Sequence, residues 1–175
     1  SYPRIVGETG GKDFVFAHPS ADPKVVATAL SRGAFEFQGQ KCSAASRAYI
    51  PANLWPDVKK ELLADVADMK MGDPRDFKNF IGAVIDERAF DRISGYIDGL
   101  KQDKRNVKIL AGGKCDKKVG YFIEPTVVET KDPKSVTMCE EIFGPVLTIY
   151  VYPENKWLET LRLVDATGEY ALTGS

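Results

Sequence analysis

Apolar residues along this chain recur in two rhythms. Phe90, Ile93, Ile97 and Leu100 are separated by three and four residues, which gathers them on one face of a helix running from an Asp86 cap to about Lys101. Gly95 and Gly99 weaken that helix slightly. Val58, Leu62, Val66 and Met69 repeat the pattern and predict a helix over 54–69, broken afterwards by Gly72-Asp73-Pro74. Asp22-Pro23 reads as a cap followed by proline at the first helical position, opening a helix that carries Val25, Val26, Ala29 and Leu30 and ends near 33–38. A last helix is predicted over 157–165 with Leu158, Leu161 and Val164 inward. Short apolar runs predict strands at 13–17, 47–50 (stopped by Pro51), 107–111 (before Gly112-Gly113), 125–129 and 146–152, the last being the strongest. Tyr170-Ala171-Leu172 is a candidate closing strand. Strands alternating with helices predict an α/β layered domain whose sheet is largely parallel and flanked by helices.

Composition narrows the class without naming a task. The 175 residues are 43% hydrophobic and 28% charged, values typical of a globular domain with a real core. The longest apolar run, 146–152, falls far short of the ~20 residues a spanning helix needs. Lys plus Arg at 24 against Asp plus Glu at 25 leaves a net charge of −1, so charge gives no reason to expect a nucleic acid or an anionic membrane as partner. Three cysteines, Cys42, Cys115 and Cys139, match neither a zinc template nor a disulfide framework and read as reduced intracellular thiols. The first residues, Ser1-Tyr2-Pro3-Arg4-Ile5, lack the pattern of a signal peptide and read as a cut into a longer chain.

Candidate chemistry is sparse and specific. Gly7-Glu8-Thr9-Gly10-Gly11-Lys12-Asp13 superficially resembles a phosphate-cradling loop, but Val6 stands where that motif needs glycine and Asp13 where it needs Ser or Thr. No three-glycine dinucleotide fingerprint follows any predicted strand. Cys42 lies in Gly39-Gln40-Lys41-Cys42-Ser43-Ala44, a small, polar loop able to present a side chain, where Lys41 beside the thiol would favour thiolate. The alternative for an isolated cysteine is a small core residue. Cys115 reads as an exposed turn thiol and Cys139 as structural. His18, the one histidine, would be the base if Cys42 were a hydrolase nucleophile; a surface or capping role is the simpler reading. Glu140-Glu141-Ile142-Phe143-Gly144-Pro145 reads on its own as a capped turn leading into the best strand.

Taken together and in order, Glu8-Thr9-Gly10-Gly11-Lys12, Gly39-Gln40-Lys41-Cys42 and Glu140-Glu141-Ile142-Phe143-Gly144-Pro145 resemble the aldehyde dehydrogenase superfamily. The text around them, including 34–37, 112–116, 120–125 and 170–174, is similar to the branch that oxidises glutamate semialdehyde derived from pyrroline-5-carboxylate. Thr9 in place of the superfamily's common leucine agrees with that branch.

The resemblance implies that residues 1–175 are a catalytic domain, with a separate NAD-binding domain before it and a further segment after it. It implies Cys42 as nucleophile, Glu8 as the general base that activates water, and Glu141 and Phe143 as contacts to the nicotinamide end of NAD. Ser43 would help receive the substrate carboxylate, and the Cys42 amide would be one of two oxyanion donors, the second lying in the preceding part of the enzyme. It further implies NAD-dependent oxidation of glutamate semialdehyde to glutamate in proline catabolism, homo-oligomeric assembly, and residence in a bacterial cytoplasm or mitochondrial matrix. The isolated chain is not expected to turn over alone. Two other readings stay open: a thiol hydrolase pairing Cys42 with His18, and a non-catalytic structural or assembly module.

Overall fold

The computed structural model of the chain describes residues 2–5, 7 and 10–175. Its centre is a five-stranded sheet. In chain order the strands are β1 (Phe14–Phe16), β2 (Arg47–Pro51), β3 (Val107–Ala111), β6 (Thr126–Thr130) and β7 (Val146–Tyr152), with β4 (Cys115–Asp116) and β5 (Phe122–Ile123) forming a separate antiparallel pair. Spatial order is β1-β2-β7-β6-β3. The first three junctions are parallel and only β3 runs antiparallel to its neighbour β6. The most apolar strand in the sequence, β7, is therefore the middle one.

Helices cover both faces, as a parallel sheet requires. Helices α1 (Pro23–Phe35) and α2 (Trp55–Asp68) pack on one face, burying Val26, Leu30, Ala34, Val58 and Leu62 against Ala48, Ile50, Leu147 and Ile149. On the other face α3 (Glu87–Gln102) sets Phe90, Ile93 and Ile97 against Val128 and Val146. A short α4 (Val136–Cys139) and α5 (Trp157–Thr167) cover Tyr49 and Tyr152 there through Met138 and Val164. Alternation along each strand separates the two cores: in β2, Ala48 and Ile50 face one way and Tyr49 the other. Local signals act as predicted at two helix starts: the Asp22 carboxylate accepts from the Lys24 and Val25 amides, and that of Asp86 from the Ala89 amide. No helix among the described residues is long and apolar enough to cross a membrane.

Of the apolar residues carried by α1, Val26 and Leu30 turn inward together with Ala27, Ser31, Ala34 and Phe35, while Val25 and Ala29 face solvent. Three expectations are corrected. In α5 Leu158 and Leu161 are exposed, and Thr160, Val164 and Thr167 point inward. Both threonines satisfy their hydroxyls on carbonyls one turn back, Lys156 and Leu163, so their methyl sides bury at little cost. The stretch 170–172 is not a strand; the closing contact comes later, where Gly174 bridges Phe14. Cys115 is not in a turn but in β4, half-buried against the α3 core.

The last residues are fastened at the sheet edge by one carboxylate. Asp13 is 1% exposed and accepts from the Leu172 amide (2.7 Å), the Thr173 amide (3.1 Å) and the Thr173 hydroxyl (2.6 Å). Asp13→Ala strands those donors, and is expected to cost ~3 kcal/mol of folding free energy. Urea denaturation checks the loss, and faster amide exchange at Leu172 and Thr173 checks its location; an unmoved midpoint would refute the tie.

Candidate active site

The three motif segments each stand immediately before a strand: 10–12 before β1, 41–46 before β2 and 140–145 before β7. Because β1, β2 and β7 are parallel neighbours, the three loops must emerge side by side at one edge of the sheet. Their meeting is close. The Gly11 amide donates to Glu141 Oε1 at 2.8 Å, and a side chain at Gly10 would overlap the same carboxylate. Gly39, left-handed at φ 65°, lies against the carbonyl of Gly144, where a Cβ has no room. What remains between the segments is a crevice of about 10 Å³ bordered by Gly11, Lys41, Ala44, Glu141 and Phe143.

Cys42 and Ser43 occupy the two central positions of a turn closed by the Ala44 amide on the Lys41 carbonyl (3.1 Å). Cys42 is half-buried and Ser43 exposed. The approach to this turn is unusual: Phe37 (φ 54°) and Gln38 (φ 58°) precede Gly39 in the left-handed region. Two non-glycine residues there cost on the order of 2 kcal/mol together, a strain that persists only where surrounding contacts impose it. Phe143 is left-handed as well (φ 52°) and half-buried, and its preceding carbonyl, Ile142, accepts from Arg92 Nη1 of α3. Glu8 lies outside the described residues.

The charges differ from the simple picture. Lys41 does not serve the thiol: its Nζ pairs with Glu36 at 2.7 Å, and Glu36 also holds Arg32. The hydrogen bond from Lys41 lowers the Glu36 carboxyl below its ordinary range. Lys12, by contrast, is 3% exposed with its ammonium lacking a hydrogen-bond partner among the described residues. Burial first, and the Arg47 guanidinium second, bring its pKa down to about 7, against opposing pulls from Cys139, Glu141 and Glu140. Beside it a cleft of about 550 Å³ is lined by Glu140, Glu141, Glu169, Tyr96 and Tyr170. Tyr96 donates to Glu140 at 2.6 Å. Glu141 thus borders both the crevice and this open cleft. A carboxylate so placed can accept hydrogen bonds from hydroxyl groups of a molecule lying in the cleft.

His18 is separated from the cysteine by the sheet. It follows β1, whereas Cys42 precedes the parallel β2, so the two stand off opposite strand ends. Its Nδ1 bonds to Ser20 (2.9 Å) and its ring meets Trp157 edge-on. The Cys–His hydrolase reading has no support in this geometry.

The model of the aldehyde dehydrogenase family matches residues 1–175. The chain belongs to that family. Among similar aldehyde dehydrogenases are the mitochondrial delta-1-pyrroline-5-carboxylate dehydrogenases of Dictyostelium discoideum, 56% identical over 99% of this chain, and of Homo sapiens, 52% identical over 100% of it. A solved structure of the Mycobacterium tuberculosis delta-pyrroline-5-carboxylate dehydrogenase bound with NAD is 48% identical and superposes with a TM-score of 0.89 over 99% of this chain. The chain spans 31% of the length of each of these relatives. The family's fold accounts for the layered α/β architecture with its largely parallel sheet.

Two measurements probe this aldehyde dehydrogenase segment. Burial pushes the Cys115 thiol up, and Cys139 donates its Sγ–H to the Lys134 carbonyl, so iodoacetamide is expected to label Cys42 first; a peptide map showing Cys115 or Cys139 ahead of it would count against the loop as a presenting site. Lys12 holds its proton up to about pH 10.5 when unfolded but only to about 7 when folded. Stability attributable to it therefore rises with pH across that window, and its burial cost is fully present below it. Lys12→Met should raise the urea midpoint more at about pH 6 than at about pH 9; equal gains would contradict the buried ammonium.

Proposed function

We propose that this chain is the catalytic domain of an NAD-dependent dehydrogenase that oxidises glutamate semialdehyde, formed from pyrroline-5-carboxylate, to glutamate. The observation that carries the proposal is the convergence of the Cys42 turn with the Glu141–Gly144 turn and the Gly10–Gly11 segment at one sheet edge. The names of the similar proteins support the substrate, and the NAD-bound relative supports the cofactor.

In this reading the Cys42 thiolate adds to the aldehyde carbon, giving a tetrahedral thiohemiacetal. Its oxyanion would be met by the Cys42 backbone N–H and by a second donor from another part of the enzyme. NAD, when bound, supplies the hydride acceptor that converts this adduct to a thioester. Glu141 would hold the nicotinamide ribose through its carboxylate, and Phe143 would border the ring. Glu8 then takes a proton from water as the water attacks the thioester carbon; the carbon–sulfur bond breaks, the carboxylic acid leaves and Cys42 is regenerated. Ser43, exposed beside the nucleophile, is suited to donate its hydroxyl to the distal carboxylate of the substrate. A separate NAD-binding domain, homo-oligomeric assembly, and a mitochondrial or bacterial cytoplasmic location complete the proposal; eukaryotic relatives named as mitochondrial favour the first compartment.

The test uses the protein at the length of its relatives. Cys42→Ala should abolish aldehyde-dependent NADH formation. Glu8→Gln should retain a single-turnover burst of NADH while steady-state turnover falls about a hundredfold or more, since only thioester hydrolysis is impaired. Wild-type turnover in either variant overturns the corresponding role. An absence of aldehyde-dependent NADH in the unmutated protein favours a non-catalytic module.

A further inference from the structure

The turn carrying Cys42 is fastened to a part of the molecule that belongs to none of the three motifs. The side-chain amide of Gln38 spans two backbone groups 44 and 45 residues away: its Oε1 accepts from the Gly82 amide at 3.0 Å and its Nε2 donates to the Ala83 carbonyl at 3.2 Å. Two residues on, Gln40 Oε1 accepts from the Ile85 amide at 2.8 Å, and its Nε2 donates back to the Phe37 carbonyl at 3.4 Å. The 82–85 segment is itself fixed. Its Val84 is buried and donates to the Tyr121 carbonyl, and the preceding Ile81 is held on Lys70 and Gly72. We propose that Gln38 and Gln40 are positioning residues that set where Cys42 stands relative to the Glu141–Gly144 turn, an assignment that rests on Cys42 being the nucleophile.

Two features argue that these bonds act on the site rather than only on the fold. First, the left-handed pair Phe37-Gln38 is not held by burial of its own aromatic, since Phe37 is 60% exposed. Besides the local turn bond from the Gln40 backbone amide to the Phe37 carbonyl (3.1 Å), the contacts that hold the conformation are the two glutamine side-chain amides and the seat of Gly39 on the Gly144 carbonyl. Second, the contacts close a ring. Ile85 leads directly into the Asp86 cap of α3, Arg92 of α3 donates to the Ile142 carbonyl, and Ile142 leads through Phe143 to Gly144, which meets Gly39. The nucleophile turn and the cofactor-side turn are thus referenced to one platform by two routes. A displacement of the thiol by about 1 Å can cost on the order of a hundredfold in rate.

The experiment measures kcat, KM for NAD and the Cys42 alkylation rate in the protein at the length of its relatives. Gln38→Ala and Gln40→Ala should each lower kcat about tenfold or more, with KM for NAD held within about twofold and the alkylation rate altered. Conservative variants separate positioning from bulk. Gln40→Glu keeps an acceptor for the Ile85 amide and gives up only the long, exposed bond to the Phe37 carbonyl, so it should recover kcat to within about threefold, whereas Gln38→Glu turns a carboxylate toward the part-buried Ala83 carbonyl and should not. Should the alanine variants fail to fold, this asymmetry between the glutamate variants decides alone. Alanine variants with kcat within about twofold of the parent, or equal rescue by both glutamates, overturn the proposal. Cys42→Ser measured in parallel separates the two readings. If it is inactive while the glutamine variants turn over normally, only the positioning role falls; if it turns over normally, the nucleophile assignment falls and the positioning role with it.

Discussion

Everything distinctive about this chain follows from the parallel adjacency of β1, β2 and β7. Arg47 of β2 lies opposite Phe14 of β1 on one side and Thr148 of β7 on the other. Parallel neighbours present their preceding loops at the same edge, so three segments separated by roughly thirty and then nearly a hundred residues arrive together. Register matters as much as order. Sliding β2 by one residue would exchange Tyr49 for Ala48 and Ile50 between the two cores, and would also move the Cys42 turn along the edge. The narrow crevice then depends on two glycines, Gly10 against the Glu141 carboxylate and Gly39 against the Gly144 carbonyl.

The same edge concentrates buried polarity. Lys12, Asp13 and Arg47 are each 3% exposed or less and lie within two residues of the β1–β2 junction. Asp13 is satisfied by amides and a hydroxyl from 172–173, and Arg47 by the Lys12 carbonyl and the Tyr49 hydroxyl, its guanidinium also lying over the Phe14 ring. Only the Lys12 ammonium is left without a hydrogen-bond partner among the described residues of this trio. Replacing buried charges by well-packed apolar residues is often neutral or stabilising. Strained left-handed residues at 37, 38 and 143 add to the cost in the same place. A fold that is locally consistent elsewhere and departs from consistency around one crevice has the pattern expected where function constrains sequence.

Much of this was legible from residue order, for identifiable reasons. The helix after Asp86 was readable because period and cap agreed, and the strand 146–152 because it is an almost unbroken apolar run. The face of α5 was not: Leu158, Leu161 and Val164 share a helical spacing, but threonines whose hydroxyls turn back onto the helix can bury their methyls instead, and periodicity does not see that. Lys41 sits next to Cys42 in sequence, yet its partner is Glu36, because the left-handed reversal at 37–39 folds the chain back on itself. Neither Phe37 nor Gln38 signals that reversal; only Gly39 does. The glutamine clamp was invisible for the same reason, since its partners are backbone groups more than forty residues away and carry no side-chain signature.

The edge chosen also has an electrostatic consequence. In open parallel sheets ligands commonly sit beyond the carboxyl ends of the strands, where helix N-termini point at them. Here the motif segments stand at the amino ends. Helix α1 therefore approaches the Cys42 turn with its C-terminus, and its late carbonyls are used locally, that of Gly33 accepting the Ala45 amide. A helix C-terminus presents negative charge to this turn, where an N-terminus would present positive charge. With Lys41 committed to Glu36, neither the macrodipole nor the adjacent cation supplies positive charge to the sulfur. In the thiol-based mechanism proposed above, that charge would come from turn amides and from groups outside the three segments. The reactivity of a nucleophile at Cys42 would then follow assembly of the whole site rather than its immediate sequence neighbours.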